Sequence, residues 1–372
     1  MAAVVRCLLL LLLAAALPAA AAPSEAGPGA GLHELEERLA VQEQRIAALE
    51  ERLAAAEAGE ERFHWGAAPL RLQGYTSVAF ERREGRPATF DQEEFSLYFN
   101  SGISDRVSVF AEVELLHDRR RTDPETGRAE DVGRVRLERA LVDYHPSDRF
   151  QLRAGKFLTP FGDWNVNHAD PLQFTTSVPL AVDSVFPESS TGLMVRGSLE
   201  AAGLEFAYRL WVANGRGRDP DRHDANFRKA YGARLIVEPR PGLELGLSLL
   251  DDADDRVEEA HERDFGLDLR WLWGGLEVKG EGVVSQASGG DSPGSPEGLF
   301  LQGAYTVGRL TPVVRGEWFR RRTARHAERR WVAGAAYRLL APTLLKVEVQ
   351  RTLGGDGPGG NTALLCSVAT FF

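Results

Sequence analysis

Apolar and polar positions follow two different periods along this chain. Between Leu32 and Leu53 the Leu and Ile residues stand at 32, 35, 39, 46, 49 and 53, in steps of three and four once Gln42 fills the one missing seam position. That is a heptad with Leu32, Leu39, Ile46 and Leu53 at a, and Leu35, Gln42 and Leu49 at d. Glu36, Glu43 and Glu50 occupy e while Arg38, Arg45 and Arg52 occupy g, so each g Arg can meet the e Glu of the next heptad on a parallel neighbour. The pattern predicts an α-helical coiled coil over 31–58 that self-associates through this seam. From Leu70 onward the period becomes two. Sixteen segments, 70–80, 93–103, 106–116, 134–145, 150–158, 191–200, 203–213, 229–238, 242–250, 263–273, 275–285, 298–307, 309–321, 330–340, 342–353 and 361–372, alternate apolar with polar residues. Most approach the ~9–11 residues that a tilted membrane strand requires.

The connections between these segments also alternate. Long polar loops at 81–92, 117–133, 159–190, 214–228, 251–262, 286–297, 322–329 and 354–360 are separated by tight joins such as Ile103-Ser-Asp105, Ala201-Ala202 and Gly274. Short turns at one end and long loops at the other are the asymmetry of an all-β transmembrane barrel, here of about sixteen antiparallel strands over 66–372. An even strand number puts both ends of the barrel, and so the coiled coil, in the periplasm. In the last segment Leu364, Cys366, Val368, Thr370 and Phe372 share one face. A terminal Phe resembles the signal by which the outer-membrane barrel assembly machinery recognises its clients, which makes Phe372 the candidate assembly signal.

The N-terminus agrees with export. Arg6, the apolar run Cys7 to Leu17, then Pro18 and alanines to Ala22 give the layout of a cleavable signal peptide over 1–22. After cleavage Cys366 alone remains, so no internal disulfide is expected. With 43% hydrophobic and 26% charged residues, the chain has no later run near the ~18 apolar residues of a spanning helix. Ten acids and four arginines fall between Pro23 and Arg62, whereas the barrel region is close to balanced, and no basic domain suggests nucleic acid. Neither G-x-S-x-G nor H-E-x-x-H occurs, and the eight His have no fixed spacing to a nucleophile, so no enzyme, cofactor or metal ligand is assigned.

The segments Arg136-Leu-Glu-Arg-Ala-Leu-Val-Asp-Tyr-His145 and Gln151-Leu-Arg-Ala-Gly-Lys-Phe-Leu-Thr-Pro-Phe-Gly162 resemble the phosphate-selective porin O and P family. The likeness covers the whole mature chain in layout and residues 134–162 in motif. It implies a sixteen-stranded, homotrimeric barrel whose specificity comes from basic residues at a constriction made by an infolded loop. The loop from Thr159 to Ser190 departs from that pattern: it carries Asp163, His168, Asp170, Asp183 and Glu188 and no Lys or Arg. Phosphate capture needs cationic donors at the narrowest point, so an acidic constriction loop argues against it.

Positive charge falls on the strands instead. Arg134, Arg136, Arg153, Arg196, Arg234 and Arg315 lie opposite the apolar face and are expected to line the lumen as a basic wall, with Glu138, Glu277, Glu281, Glu317 and Glu348 among them. A basic wall facing an acidic loop would set up a transverse field across a water-filled pore. Asp251, Asp252, Asp254, Asp255, Glu258, Glu259 and Glu262 crowd one outer loop, read as solvated, and Arg320, Arg321, Arg322, Arg325, Arg329 and Arg330 crowd another, a candidate contact for lipopolysaccharide phosphates. The expectation is a trimeric outer-membrane channel of a Gram-negative cell, bordered by membrane lipid, for small hydrophilic solutes or ions. The alternatives are a phosphate- or anion-selective porin and a structural tether that conducts incidentally.

Overall fold

The computed structural model describes residues 63–65, 68–117, 121–122, 129–130, 133–201, 203–215, 228–253, 261–288, 295–322, 324–355 and 360–372. The signal peptide and the heptad segment, with Leu32, Leu35, Leu39, Ile46, Leu49 and Leu53, lie outside the described residues. Among the described residues sixteen long antiparallel strands close on themselves, with a three-residue strand, Phe63–Trp65, paired to the start of the first. They are β1 (Ala68–Arg83), β2 (Thr89–Ser104), β3 (Val107–His117), β4 (Gly133–Ser147), β5 (Phe150–Leu158), β6 (Ser189–Ala201), β7 (Leu204–Asn214) and β8 (Lys229–Arg240). The second half comprises β9 (Leu243–Ala253), β10 (His261–Trp273), β11 (Leu276–Ser288), β12 (Glu297–Tyr305), β13 (Leu310–Arg320), β14 (Glu328–Leu340), β15 (Thr343–Gly354) and β16 (Asn361–Phe371). Each strand pairs with the next, and β16 pairs with β1 from Ala363↔Arg83 to Phe371↔Tyr75. A closed sheet leaves no unpaired edge, which is the condition for crossing hydrocarbon with strands.

All sixteen predicted segments are strands, and the differences are at their ends. The predicted loop 81–92 shrinks to five residues, 84–88, because β1 and β2 run on as a hairpin of two sixteen-residue strands. Alternation then sorts the side chains as read from sequence. Leu193, Leu210, Leu247, Phe265, Val314, Trp331, Val347 and Val368 are exposed on the outer surface, whereas Glu112, Asp264, Gln302, Arg315, Glu348 and Ser367 are buried inside. This inverts the sorting of a water-soluble protein: the medium that fits the outer face is apolar and the one that fits the inner face is polar.

Phe372 completes the closure. Its N–H donates to the carbonyl of Gly74 and its carbonyl accepts from the Gly74 N–H, both at 2.9 Å. Its ring lies 5.5 Å from that of Phe95.

Candidate functional site

The motif that carries the family resemblance builds the turn by which the chain leaves β5 and enters the barrel. Gly155 has φ +122° and a side chain there would meet the backbone of Ala140 and Leu141, so the close approach of β4 and β5 requires glycine. Phe157 and Phe161 are buried, and Gly162 has φ +69°, where a Cβ would strike the Glu281 carboxylate. The Gly162 N–H donates to Ser248 Oγ at 3.2 Å, and the next amide but one, on Trp164, donates to Glu281.

From there the segment 159–188 folds into the lumen. Two short 3-10 turns, Asn165–Asn167 and Asp170–Leu172, and a five-residue helix α1 (Leu180–Ser184) give it shape. Phe161, Trp164, Ala181, Val182, Val185 and Phe186 form one apolar cluster with Met194, Trp211, Val283, Phe300 and Phe319 of the inner wall. Phe161 and Phe186 pack tilted with 4.5 Å between centroids, and Trp164 meets Phe300 edge-on at 5.6 Å. Wall carboxylates then take the loop amides that no helix satisfies: Glu348 accepts from Thr176 N at 2.9 Å and Ser177 N at 3.2 Å, and Glu317 from Leu180 N at 2.8 Å. Arg315 donates to the Ser177 carbonyl at 2.9 Å and to Thr175 Oγ1 at 2.7 Å, and Arg330 donates to the Val178 carbonyl. Glu281, Glu317 and Glu348 are thus anchors of the loop as well as inward charges.

The predicted acids of the loop separate into different surroundings. Asp163 accepts from Asn167 Nδ2 at 2.8 Å, Asp170 is ion-paired with buried Lys346, and Glu188 pairs with Arg136 at 2.7 Å. Asp183 is exposed on α1. His168 lies 3.4 Å from Glu138 and its Nδ1 is 2.7 Å from the carbonyl of Asn165. Burial disfavours charge on this imidazole, but the hydrogen bond and charge of Glu138, helped by the Asn165 carbonyl, outweigh it and push its pKa up to about 9.

The predicted arginines divide as well. Arg134 is exposed near the outer end of β4, and Arg136 holds Glu114 and Glu188. Arg315 is buried beneath the loop against Glu317, 5.5 Å from the Trp164 ring. Arg153, Arg196 and Arg234 belong to a row across four consecutive strands whose fourth member, Arg209, sequence reasoning missed. Arg209 stands directly opposite Arg196 on one side and Arg234 on the other, and Gln151, two residues before Arg153, stands opposite Arg196. Asp143 takes Arg153 at 2.7 Å and Arg196 at 3.2 Å, and Asp268 takes Arg234 at 2.7 Å. Arg209 forms no ion pair with any described residue, and the buried Nε atoms of Arg196 and Arg234 have no acceptor. Arg209 therefore leaves this side of the lumen with positive charge that is not ion-paired among the described residues. The signal was available: the outward set Phe206, Tyr208, Leu210 and Val212 puts Arg209 inside.

One pair of predicted surface clusters meets. Arg322 of the basic group donates to Glu262 of the acidic group, and Arg320 and Arg321 pair with Glu297 and Glu328 at 2.8 and 2.7 Å. Arg330, read as part of the outer basic group, is instead inside the barrel on Glu317, because β14 begins two residues before it and turns it inward.

No family model matches the chain. In sequence it is 23% identical over 255 residues to an uncharacterized protein of Aquifex aeolicus (strain VF5), a match that takes in 58% of this chain and 56% of that protein, so the chain spans about half the length of its relative. Among solved structures it superposes on an anion-selective porin from Comamonas acidovorans with a TM-score of 0.58 at 10% identity, covering 82% of this chain and 100% of that one. OmpF of Salmonella typhi in complex with daunomycin gives 0.58 at 14% identity, over 84% and 100%. The trimer form of OmpT, an outer membrane protein of Vibrio cholerae, gives 0.57 at 11%, over 82% and 100%. At these identities the likeness establishes the fold, which is the barrel architecture of outer-membrane porins.

Proposed function

We propose that the chain is an outer-membrane porin, a water-filled channel for passive diffusion of small hydrophilic solutes and ions, with a preference for anions. The observation that carries this reading is the row Arg153, Arg196, Arg209 and Arg234 on the inner wall of a closed barrel narrowed by an infolded loop. The anion-selective porin of Comamonas among the structural neighbours supports the preference. Tight phosphate capture is not part of the proposal: Asp143 and Asp268 already hold three of the four arginines, and the loop contributes no base. The transverse field expected from sequence is reduced to a local one, since Asp170 and Glu188 are paired while Arg209 is not.

Several finer points belong to the same proposal. The chain acts as a homotrimer, as the trimer form of its Vibrio neighbour suggests. It sits in the outer membrane of a Gram-negative cell with its coiled coil in the periplasm, bordered by lipid and lipopolysaccharide and delivered by the barrel assembly machinery through Phe372. It carries no catalytic function. Single-channel recording of the purified full chain in planar bilayers tests the reading. Discrete conductance steps with a reversal potential displaced toward chloride in a KCl gradient are expected. Absence of conductance would return the assignment to a tether, and block of chloride current by micromolar phosphate would return it to phosphate uptake.

A further inference from the structure

On the wall that faces the loop near His168, three carboxylates from three neighbouring strands converge with its imidazole. Glu94 comes from β2, Glu114 from β3 and Glu138 from β4, and one ligand atom from each, with one from His168, lies within 4.8 Å of all the others. Glu138 reaches this point through a bulge. Glu112 pairs with Arg139 but Val113 pairs with Leu137, so Glu138 is the extra residue and turns inward beside Arg139. Glu114 and Glu138 are 0% and 1% exposed, and Oε1 of the first and Oε2 of the second have no hydrogen-bond partner. Unpartnered carboxylate oxygens at that depth are costly unless they take up a proton or a cation meets them.

The other contacts leave room for one cation and orient its ligands. Arg136 takes Oε2 of Glu114 and so supplies one positive charge. A metal displaces the proton that His168 holds in its absence, and Glu94, Glu114, Glu138 and Glu188 set against the one Arg136 guanidinium then leave a negative excess that a divalent ion offsets. His168 Nδ1 faces the Asn165 carbonyl at 2.7 Å, so Nδ1–H donates there and Nε2, 3.4 Å from Glu138, is the nitrogen left to ligate a metal once its proton is displaced. Tyr75 donates its hydroxyl to Glu94, fixing that carboxylate from behind. In a tetrahedral site bonds of ~2.0–2.2 Å put ligand atoms roughly 3.3–3.6 Å apart, so pairs at the 4.8 Å limit close by about an ångström, a movement within reach of rotation about the Glu side chains.

We infer that Glu94, Glu114, Glu138 and His168 bind a divalent first-row transition-metal ion that ties the infolded loop to the β2–β4 wall. Three carboxylates and an imidazole suit Zn²⁺ or Mn²⁺, whereas Ca²⁺ and Mg²⁺ prefer all-oxygen sites. The site does not depend on which solute the channel passes. The sequence does not reveal it, because its residues are 20 to 30 apart with no ligand spacing and one of them is placed by the bulge.

The test uses the purified full chain, stripped with EDTA, dialysed, and titrated calorimetrically with Zn²⁺ and separately with Mn²⁺ and Ca²⁺. One Zn²⁺ or Mn²⁺ per chain is expected, with His168→Gln and Glu138→Gln each weakening it at least tenfold. Asp183→Asn, which removes an exposed acid of the same loop, should leave the affinity unchanged. Heat-modifiable migration verifies that each variant is a folded barrel. The inference is overturned by the absence of saturable binding in the unmodified chain, by binding that survives both site substitutions, or by Ca²⁺ binding as tightly as Zn²⁺.

Discussion

Arg209 and Arg234 face each other across adjacent strands, share the lumen and carry the same charge, yet their substitution should have opposite consequences. Arg234 is locked to buried Asp268 by two hydrogen bonds, at 2.7 and 2.8 Å. Arg234→Ala abandons that carboxylate, a loss on the order of 3–5 kcal/mol for a buried pair broken on one side, and the barrel should melt earlier. Arg209 has no such partner and sits between two like charges, an arrangement that destabilises a sheet by roughly 0.2–1 kcal/mol per opposed pair. Arg209→Ala should leave the melting temperature unchanged or slightly higher while moving the reversal potential toward cations. Because exposed charge acts over a Debye length of ~8 Å at physiological salt, that shift should shrink in molar KCl. Thermal melts and bilayer recordings on the two variants check both signs, and equal effects on selectivity and stability would show the row to be structural only. Alternation assigns each strand arginine a face. It said nothing about which of them a neighbouring acid had already neutralised, since that depends on cross-strand register.

The infolded loop is the element whose sequence said least about its position. A period of two assigns a face to a strand residue but gives no distance from the barrel axis, and a loop has no period at all. Its apolar residues, Phe161, Trp164, Val182 and Phe186, read like any turn segment until the inner wall supplies Met194, Trp211, Phe300 and Phe319 to receive them. Those inward apolar residues break the apolar-out, polar-in rule in the places where the loop lands, and that exception was legible in principle. Truncating one of the anchoring rings should release the loop rather than the barrel. Trp164→Ala removes a ring sandwiched between Phe300 and the Arg315 guanidinium, a burial worth ~3–5 kcal/mol in a core. The expected result is larger, noisier single-channel current and faster proteolytic cleavage within 159–188, with heat-modifiable migration retained. Glu348→Gln should act in the same direction more weakly, since the amide side chain keeps its size and one acceptor for the loop amides. Conductance identical to the unmodified chain in both variants would mean that the loop does not set the narrow point.

At the scale of the whole molecule, strand number, order and outward face were all readable from alternation, loop asymmetry and length. The coiled coil is a separate matter: its seam predicts that replacing Leu35, Ile46 and Leu49 together by Ser lowers the heat stability of the trimer, read by its migration on unheated gels. The chain end raises a sharper question, because Phe372 has two possible roles that predict different phenotypes. As an assembly signal its side chain is read before the barrel exists. As a clasp, its main chain closes the last ladder on Gly74 with two 2.9 Å hydrogen bonds and its ring rests 5.5 Å from Phe95. Phe372→Ala keeps both main-chain bonds and loses the ring, whereas deletion of Phe372 loses everything. If the signal dominates, both variants should fail alike, with little protease-resistant barrel in the membrane at high expression. Barrel that does insert from Phe372→Ala should then melt within a few degrees of the unmodified protein, since one half-exposed ring contributes only about 0.5–1.5 kcal/mol beyond its burial. If the clasp dominates, Phe372→Ala should insert normally and only the deletion should suffer, through two lost hydrogen bonds of about 0.5–1.5 kcal/mol each at the closing seam. Insertion yield and melting temperature of the two variants, measured side by side, separate recognition from closure, and normal insertion by both would remove Phe372 from assembly altogether.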